Sequence, residues 1–246
     1  MPNDFIHKKF QKKSKKLEVI DNLYEDDTFS EYYKLVTDQD SVLENDIDIY
    51  KRFFDKSESV LEIGSGTGRI FNNLFKHGYN IYGLEPSTEM SKYIDKNARN
   101  RIYPLTLQDI KYLPKNDIEV IIIPATSVSL FSLNDLEKFL KYVQKHQVSV
   151  KRIIFDFLKE DFFKGAMDAI QSYTLGLEKF YYVNFWDKSE ERIIYNLVNS
   201  KKIGISVKYI YSHKSIQDLF EKLGITFNII LDSDSYTMIE GRFNEH

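Results

Sequence analysis

Residues 59–90 read SVLEIGSGTGRIFNNLFKHGYNIYGLEPSTEM. The stretch opens with a short apolar run, Val60, Leu61 and Ile63, and turns through Gly64-Ser65-Gly66-Thr67-Gly68. Apolar side chains then recur at helical spacing (Ile70, Phe71, Leu74, Phe75) as far as Gly78. A second apolar run, Ile81-Tyr82-Gly83-Leu84, stops at an acid, Glu85. Strand, glycine turn, helix, strand and carboxylate, in that order, predict the nucleotide-binding half of a doubly wound α/β sheet. Glycines in the turn allow backbone angles closed to other residues and let the main chain come close to a ligand. Glu85 lies about 20 residues past the turn, where a carboxylate can accept hydrogen bonds from both ribose hydroxyls.

The glycine spacing selects the nucleotide. A dinucleotide fingerprint is Gly-x-Gly-x-x-Gly, with a pyrophosphate at the helix N-terminus. Here the glycines alternate, Gly64-x-Gly66-x-Gly68, and Glu62 stands two residues before the first. A carboxylate is a poor neighbour for pyrophosphate and a good one for an ammonium group. The segment EIGSGTG (62–68) closely resembles the first motif of class I S-adenosylmethionine-dependent methyltransferases, (Asp/Glu)-x-Gly-x-Gly-x-Gly. GLEPSTEM (83–90) resembles the acid, small polar residue and methionine that follow the second strand in that family. The resemblance implies S-adenosyl-L-methionine as cofactor, held by Glu62, Gly64, Ser65, Gly66, Gly68, Glu85, Pro86 and Met90. A glycine turn in a phosphate-binding or merely structural α/β unit is the alternative.

Composition narrows the class. The 246 residues are 42% hydrophobic and 15% aromatic, enough for one large domain or a domain with an insertion. A net charge of −3 supplies no global field for nucleic acid. Without cysteine there are neither disulfides nor thiolate chemistry. No apolar run approaches the roughly 20 residues that span a bilayer. Six lysines lie between Lys8 and Lys16, but no apolar h-region follows them, so the N-terminus does not read as a secretory signal. The expectation is a soluble cytoplasmic protein, with the lysines on a solvated tail rather than a nucleic-acid arm.

Taken in order, residues 1–22 read as a basic amphipathic helix or loose tail, and residues 29–36 place Phe29, Tyr33 and Val36 on one helical face. The resemblance is closest to the small-molecule group, including the sugar-amine N-methyltransferases, where a segment before the first strand covers the cofactor. It implies Tyr33, with Tyr24 as a second candidate, at the methionine end; both could equally be core or interface aromatics. A helix is expected over 41–55, another over Ser87–Asn97 capped by Ser87, and a third strand over Ile102–Leu107. By position in the family, Asp109 and Ile110 would meet the adenine, although Asp109 could simply cap a turn. Ile118–Ile123 is a β-branched run suited to a central strand, and Pro124 follows at its carboxyl end, where open α/β sheets bind ligands. A helix starting at Asn134 or Asp135 and a strand over Arg152–Phe157 follow.

Three Tyr/Val/Ile-rich runs between Tyr173 and Tyr211, broken near Lys188-Ser189-Glu190 and Lys201-Lys202, predict antiparallel strands with one exposed face. A helix over Ser215–Leu223 closed by Gly224, then strands over Ile225–Leu231 and Tyr236–Phe243, end the chain. The expected fold is a Rossmann-like seven-stranded sheet with a C-terminal antiparallel hairpin, and an antiparallel β insertion after the fifth strand. Its division would be a helical lid (1–40), the cofactor-binding domain (41–160 and 213–246), and an insertion (161–212) serving as substrate cover or dimer surface.

An activated methyl leaves a neutral thioether, so a base is needed only if the acceptor arrives protonated. The sugar-amine relatives suggest a histidine shortly after the fourth strand. Here Thr126-Ser127-Val128-Ser129-Leu130 contains none, which weakens the case for an amino sugar. His77 and His146 stand at helix ends; His213, beyond the insertion, and Tyr33 are the weak candidates. Proximity catalysis on a small-molecule acceptor, at nitrogen or oxygen, is therefore the leading expectation. A peptide or antibiotic precursor, RNA, or a non-catalytic regulatory role are the alternatives. The Asn-Pro-Pro-Tyr type of tetrapeptide found in base-amine methylases is replaced by IIIPATS (121–127), and no Asp-Asn pair accompanies Asp156 to hold a metal.

Overall fold

The computed structural model describes residues 2–37, 46–114, 117–147, 149–165, 167–187, 192–234 and 236–244. It contains two sheets. A short helix α1 (Lys8–Ser14) and strand β1 (Glu18–Ile20) precede α2 (Asp27–Thr37) and α3 (Asp46–Tyr50). The alternating core then begins: β2 (Ser59–Ile63), α4 (Arg69–Lys76), β3 (Asn80–Leu84), α5 (Thr88–Ser91), β4 (Ile102–Tyr103), β5 (Val120–Ile123), α6 (Leu133–His146) and β6 (Arg152–Leu158). After α7 (Glu160–Lys164) come β7 (Gln171–Leu175), β8 (Glu178–Asp187), β9 (Arg192–Val198) and β10 (Lys202–Tyr209). Helix α8 (His213–Leu223) and the hairpin β11 (Thr226–Asp232) and β12 (Tyr236–Arg242) follow.

The main sheet has seven strands in the order β11-β12-β6-β5-β2-β3-β4. Strands β4, β3, β2, β5 and β6 are mutually parallel, and β12 runs antiparallel to both neighbours. Every residue of β2 and β5 is buried, as a strand covered on both faces requires. On one face Leu61, Ile121, Ile153 and Phe155 pack against α6 and α8; on the other Val60, Val120, Ile122 and Ile154 pack against Tyr50 and α4. This is the expected doubly wound sheet, and its order reverses between β2 and β5.

The segment between β3 and β5 differs from expectation. The helix expected over Ser87–Asn97 stops at Ser91, because the Asp95 side chain accepts from the Asn97 N–H and starts a separate 3-10 turn. The third strand ends at Tyr103, since Pro104 has no N–H for a ladder, and residues 107–112 form a 3-10 turn. Helix α6 starts earlier than expected, with Ser132 as its cap in a reciprocal box with Asp135. Helix α8 likewise begins at His213 behind the cap Ser212. Of the expected helix over 41–55, only α3 is present among the described residues, and it ends at Tyr50; residues 41–45 lie outside the described residues.

The inserted sheet has five strands in the order β1-β10-β9-β8-β7. The first aromatic run is not one strand: it straddles a two-residue hairpin at Gly176-Leu177, with Gly176 at φ 58°. The break at Lys188–Glu190 lies outside the described residues. Neither face is left bare along β9. Ile194 and Val198 pack with Ile6 and Phe10, while Leu197 packs with Leu23, Phe29 and Tyr32. Residues 18–20 are therefore a strand parallel to β10, not part of a helix or tail. One asparagine fixes the junction: Asn196 accepts from the His7 N–H at 2.8 Å and donates to the Phe5 carbonyl at 2.8 Å.

Phe29 is fully buried between α2 and the inserted sheet, with Gly204 directly beneath its ring. Phe29→Ala should cost about 3–5 kcal/mol and lower Tm by about 6–20 °C, measured by calorimetry.

Candidate active site

The glycine turn after β2 is built from left-handed backbone: φ is 73° at Gly64, 54° at Gly66 and 83° at Gly68. The Gly64 and Ser65 amides donate to the Leu84 carbonyl at 2.9 and 3.0 Å, which pins the turn to the end of β3. A Cβ on Gly66 would touch Met90 Cε at 3.4 Å, and one on Gly64 would press on Ser127 at 3.3 Å. Small residues thus bring the turn, α5 and the loop after β5 together.

Glu85 leaves the end of β3 and accepts from the Gly66 N–H at 2.7 Å and from the Ser87 N–H at 2.8 Å. Burial pushes its pKa up, and the two amides oppose that shift. Ser87 caps α5 by accepting from the Met90 N–H and donates its hydroxyl to the Tyr24 carbonyl at 2.6 Å. Through that bond the N-terminal segment reaches the crevice. Tyr24 and Tyr33 meet edge to face, with ring centres 5.6 Å apart. Burial raises the pKa of both, and the Glu85 charge reinforces it in each. Gly64, Ser65, Gly66, Gly68, Glu85, Met90, Tyr24 and Tyr33 are accordingly gathered in one place, while Pro86 is exposed beside them.

Glu62, on β2, is 2% exposed, and its Oε2 has no hydrogen-bond partner. Burial pushes its carboxyl well above the usual range, and the Arg69 charge works against this. Arg69 opens α4, the helix end where the macrodipole disfavours a cation. Its guanidinium forks onto both oxygens of buried Asp46, with the Nη1–Oδ1 bond at 2.8 Å. That mismatch of arginine and dipole is the signal by which sequence reasoning could have found the pair.

The loop after β5 places Ala125 at φ 55° and Thr126 at φ 59°, a costly region for residues with a Cβ. The Thr126 N–H is held by Asp156 Oδ2 at 2.7 Å, and Tyr50 donates to Asp156 Oδ1 at 2.6 Å. The sequence marks Asp156 as an acid near a strand end that lacks the Asp-Asn pair of a metal site, and it does not single out Tyr50. Pro124 precedes this strained pair. The remaining sites lie differently. Asp109 caps its own turn, accepting the Thr106 hydroxyl at 2.6 Å and its N–H at 3.3 Å through one oxygen, while Ile110 is buried in the core. His213 Nε2 sits 2.8 Å from the Thr237 hydroxyl and 3.1 Å from Asp232, against the Phe157 ring. His77 is exposed at the end of α4, as expected, and His146 stacks on Tyr142.

Asp156 is fully buried, and desolvation lifts its pKa from 3.8 to about 6. A carboxyl that holds its proton more tightly in the folded state favours folding below pH 3.8 and loses that contribution as pH rises through about 6. Relative to Asp156→Asn, the wild type should therefore lose about 2 kcal/mol between pH 4 and pH 7, measured by urea unfolding at both values.

Three comparisons bear on this arrangement. Residues 60–148 match the family model for a methyltransferase domain. An uncharacterized methyltransferase of Alkaliphilus oremlandii (strain OhILAs) is 26% identical over 212 residues, covering 85% of this chain and 87% of the relative. A crystal structure of an S-adenosylmethionine-dependent methyltransferase from Clostridium acetobutylicum ATCC 824 superposes with a TM-score of 0.67 at 16% identity, covering 87% of this chain and 97% of the other. A sugar N-methyltransferase from Streptoalloteichus sp ATCC 53650 gives a TM-score of 0.62 at 10% identity, with 86% and 91% covered. Residues 60–148 thus carry a methyltransferase domain, and the strand order and the EIGSGTG turn agree with a likeness to the class I S-adenosylmethionine-dependent methyltransferases.

Proposed function

We propose that the protein transfers a methyl group from S-adenosyl-L-methionine to nitrogen or oxygen of a small molecule, with the N-terminal segment and the inserted sheet closing over both. The observation that carries this reading is the Tyr24–Tyr33 pair, packed beside Glu85 and backed by the inserted sheet. A space walled on that side by N-terminal tyrosines suits a compact acceptor. The sugar N-methyltransferase among the similar structures supports the same class.

The residues present fit the cofactor. Glu62 offers a buried carboxylate oxygen with no partner, which suits an ammonium, and Gly66 leaves a cradle that a side chain would fill. Glu85 would take the ribose hydroxyls, Met90 would line the turn, Asp109 and Ile110 would serve the adenine, and Pro124 would border the methyl end. When bound, the cofactor supplies an electrophilic methyl on a sulfonium with a neutral leaving group. The chain's task is then alignment, an effect worth roughly 7–11 kcal/mol where reacting groups are well oriented. The strained Ala125-Thr126 pair, fixed by Asp156, would set the floor against which the acceptor is aligned. His213 is engaged with Thr237 and Asp232, which favours proximity over a dedicated base.

S-adenosylmethionine and S-adenosylhomocysteine, but not NAD, should protect the protein in a thermal-shift assay. A ligand at 1 mM with Kd near 10 μM stabilises by about 2.7 kcal/mol. Protection by NAD alone would overturn the reading. Glu85→Ala should weaken S-adenosylmethionine binding by about 1–3 kcal/mol, roughly 5- to 150-fold, read by calorimetry.

A further inference from the structure

Lys208 lies on β10, on the same side of the inserted sheet as Gly204 and Ser206, since alternate residues share a face. That side meets the N-terminal segment. A Cβ on Gly204 would strike Phe29 and Leu23, and the buried Ser206 hydroxyl stands near Tyr24 without a hydrogen bond. Lys208 is the next residue along this row, and β10 also touches the 127–130 turn at the carboxyl end of β5. Its ammonium lies 5.8 Å from the centre of the Tyr195 ring, and Tyr195 in turn lies within the field of Tyr24 and Tyr32. The row therefore runs from the buried lid contact toward the crevice.

The chemistry of this lysine is unlike that of the others. Lys92, Lys151, Lys164, Lys202 and Lys214 each have a raised pKa, led by a hydrogen bond that the ammonium donates to a carboxylate. Lys208 has no carboxylate partner among the described residues, and burial alone pushes its pKa down. A half-buried cation beside one aromatic ring and without a carboxylate partner is held at a cost, which an arriving anion offsets. Arg69 cannot take that role, because Asp46 already occupies its fork.

We propose that Lys208 binds an oxyanion of the methyl acceptor, a carboxylate or a phosphate-type group, so that the enzyme selects small anionic molecules. This rests on the small-molecule methyltransferase reading above. It makes Lys208 a specificity-determining residue rather than a base.

The test uses the full chain saturated with S-adenosylhomocysteine and titrated by calorimetry with benzoate, phenyl phosphate and neutral benzamide. The unmodified protein should bind at least one of the two anions about tenfold or more tighter than benzamide. Whichever anion is preferred identifies the oxyanion. Lys208→Met should abolish the preference, and Lys208→Arg should keep it, since arginine retains the charge but cannot accept a proton. S-adenosylhomocysteine affinity should be the same in all three proteins. No anion preference in the unmodified protein, or a preference surviving in Lys208→Met, overturns the inference and leaves the methyltransferase reading intact. Equal loss in Lys208→Arg and Lys208→Met overturns it too. Failure of S-adenosylhomocysteine to bind the unmodified protein overturns the methyltransferase reading itself, and this inference with it.

Discussion

The bond from the Gly66 amide to the Glu85 carboxylate is the constraint on which the rest of the site depends. It holds only if the Gly66 N–H is turned to within 2.7 Å of a side-chain oxygen of Glu85, which the left-handed backbone at Gly64, Gly66 and Gly68 allows. The neighbouring strand leaves no room for a side chain: a Cβ on Gly83 would lie 2.2 Å from Ser65 Oγ. Glu85 then organises what lies beyond it, because its other oxygen takes the Ser87 amide, and Ser87 in turn holds both α5 and the Tyr24 carbonyl. A single carboxylate thereby links the glycine turn, the following helix and the N-terminal segment.

Around that junction the protein keeps buried acids at the strand tips. Glu62 and Asp156 both sit in surroundings that favour their protonated forms, and each is steadied differently: Glu62 by the nearby Arg69 charge, Asp156 by a tyrosine hydroxyl and a backbone amide. Buried polar groups of this kind are expensive unless satisfied. Glu62 lies on β2, beside the point where the strand order reverses, and Asp156 on β6 reaches the loop after β5 across it, in agreement with the rule that open α/β sheets place their chemistry there.

Legibility in the sequence followed the range of the interactions involved. The β2-turn-α4-β3 unit could be read because its glycines, its apolar periods and Glu85 are all local signals. Strands β5 and β6 announce themselves as β-branched runs. The region 87–112 was misread because Asp95 and Pro104 override helix and strand propensity through one cap and one missing donor. Residues 1–22 read as a basic amphipathic helix or loose tail; the helix is α1, whereas strand β1 was not legible because the partners of Ile6, Phe10 and Val19 lie in strands far along the chain. Arg69 and Asp46 escaped notice for the same reason: an ion pair between distant residues leaves no periodic trace.

The parallel pairing of residues 18–20 with residues 202–204 also bears on how the protein is made. Contacts between such widely separated parts of a chain form slowly, and domains emerge from the ribosome N-terminus first. β1 must therefore wait for β10 to be synthesised before it finds a neighbour. The Rossmann-like strands up to β6 are complete long before that. The second sheet can thus close only once residues 202–204 have been made, with α8, β11 and β12 of the main sheet still to follow.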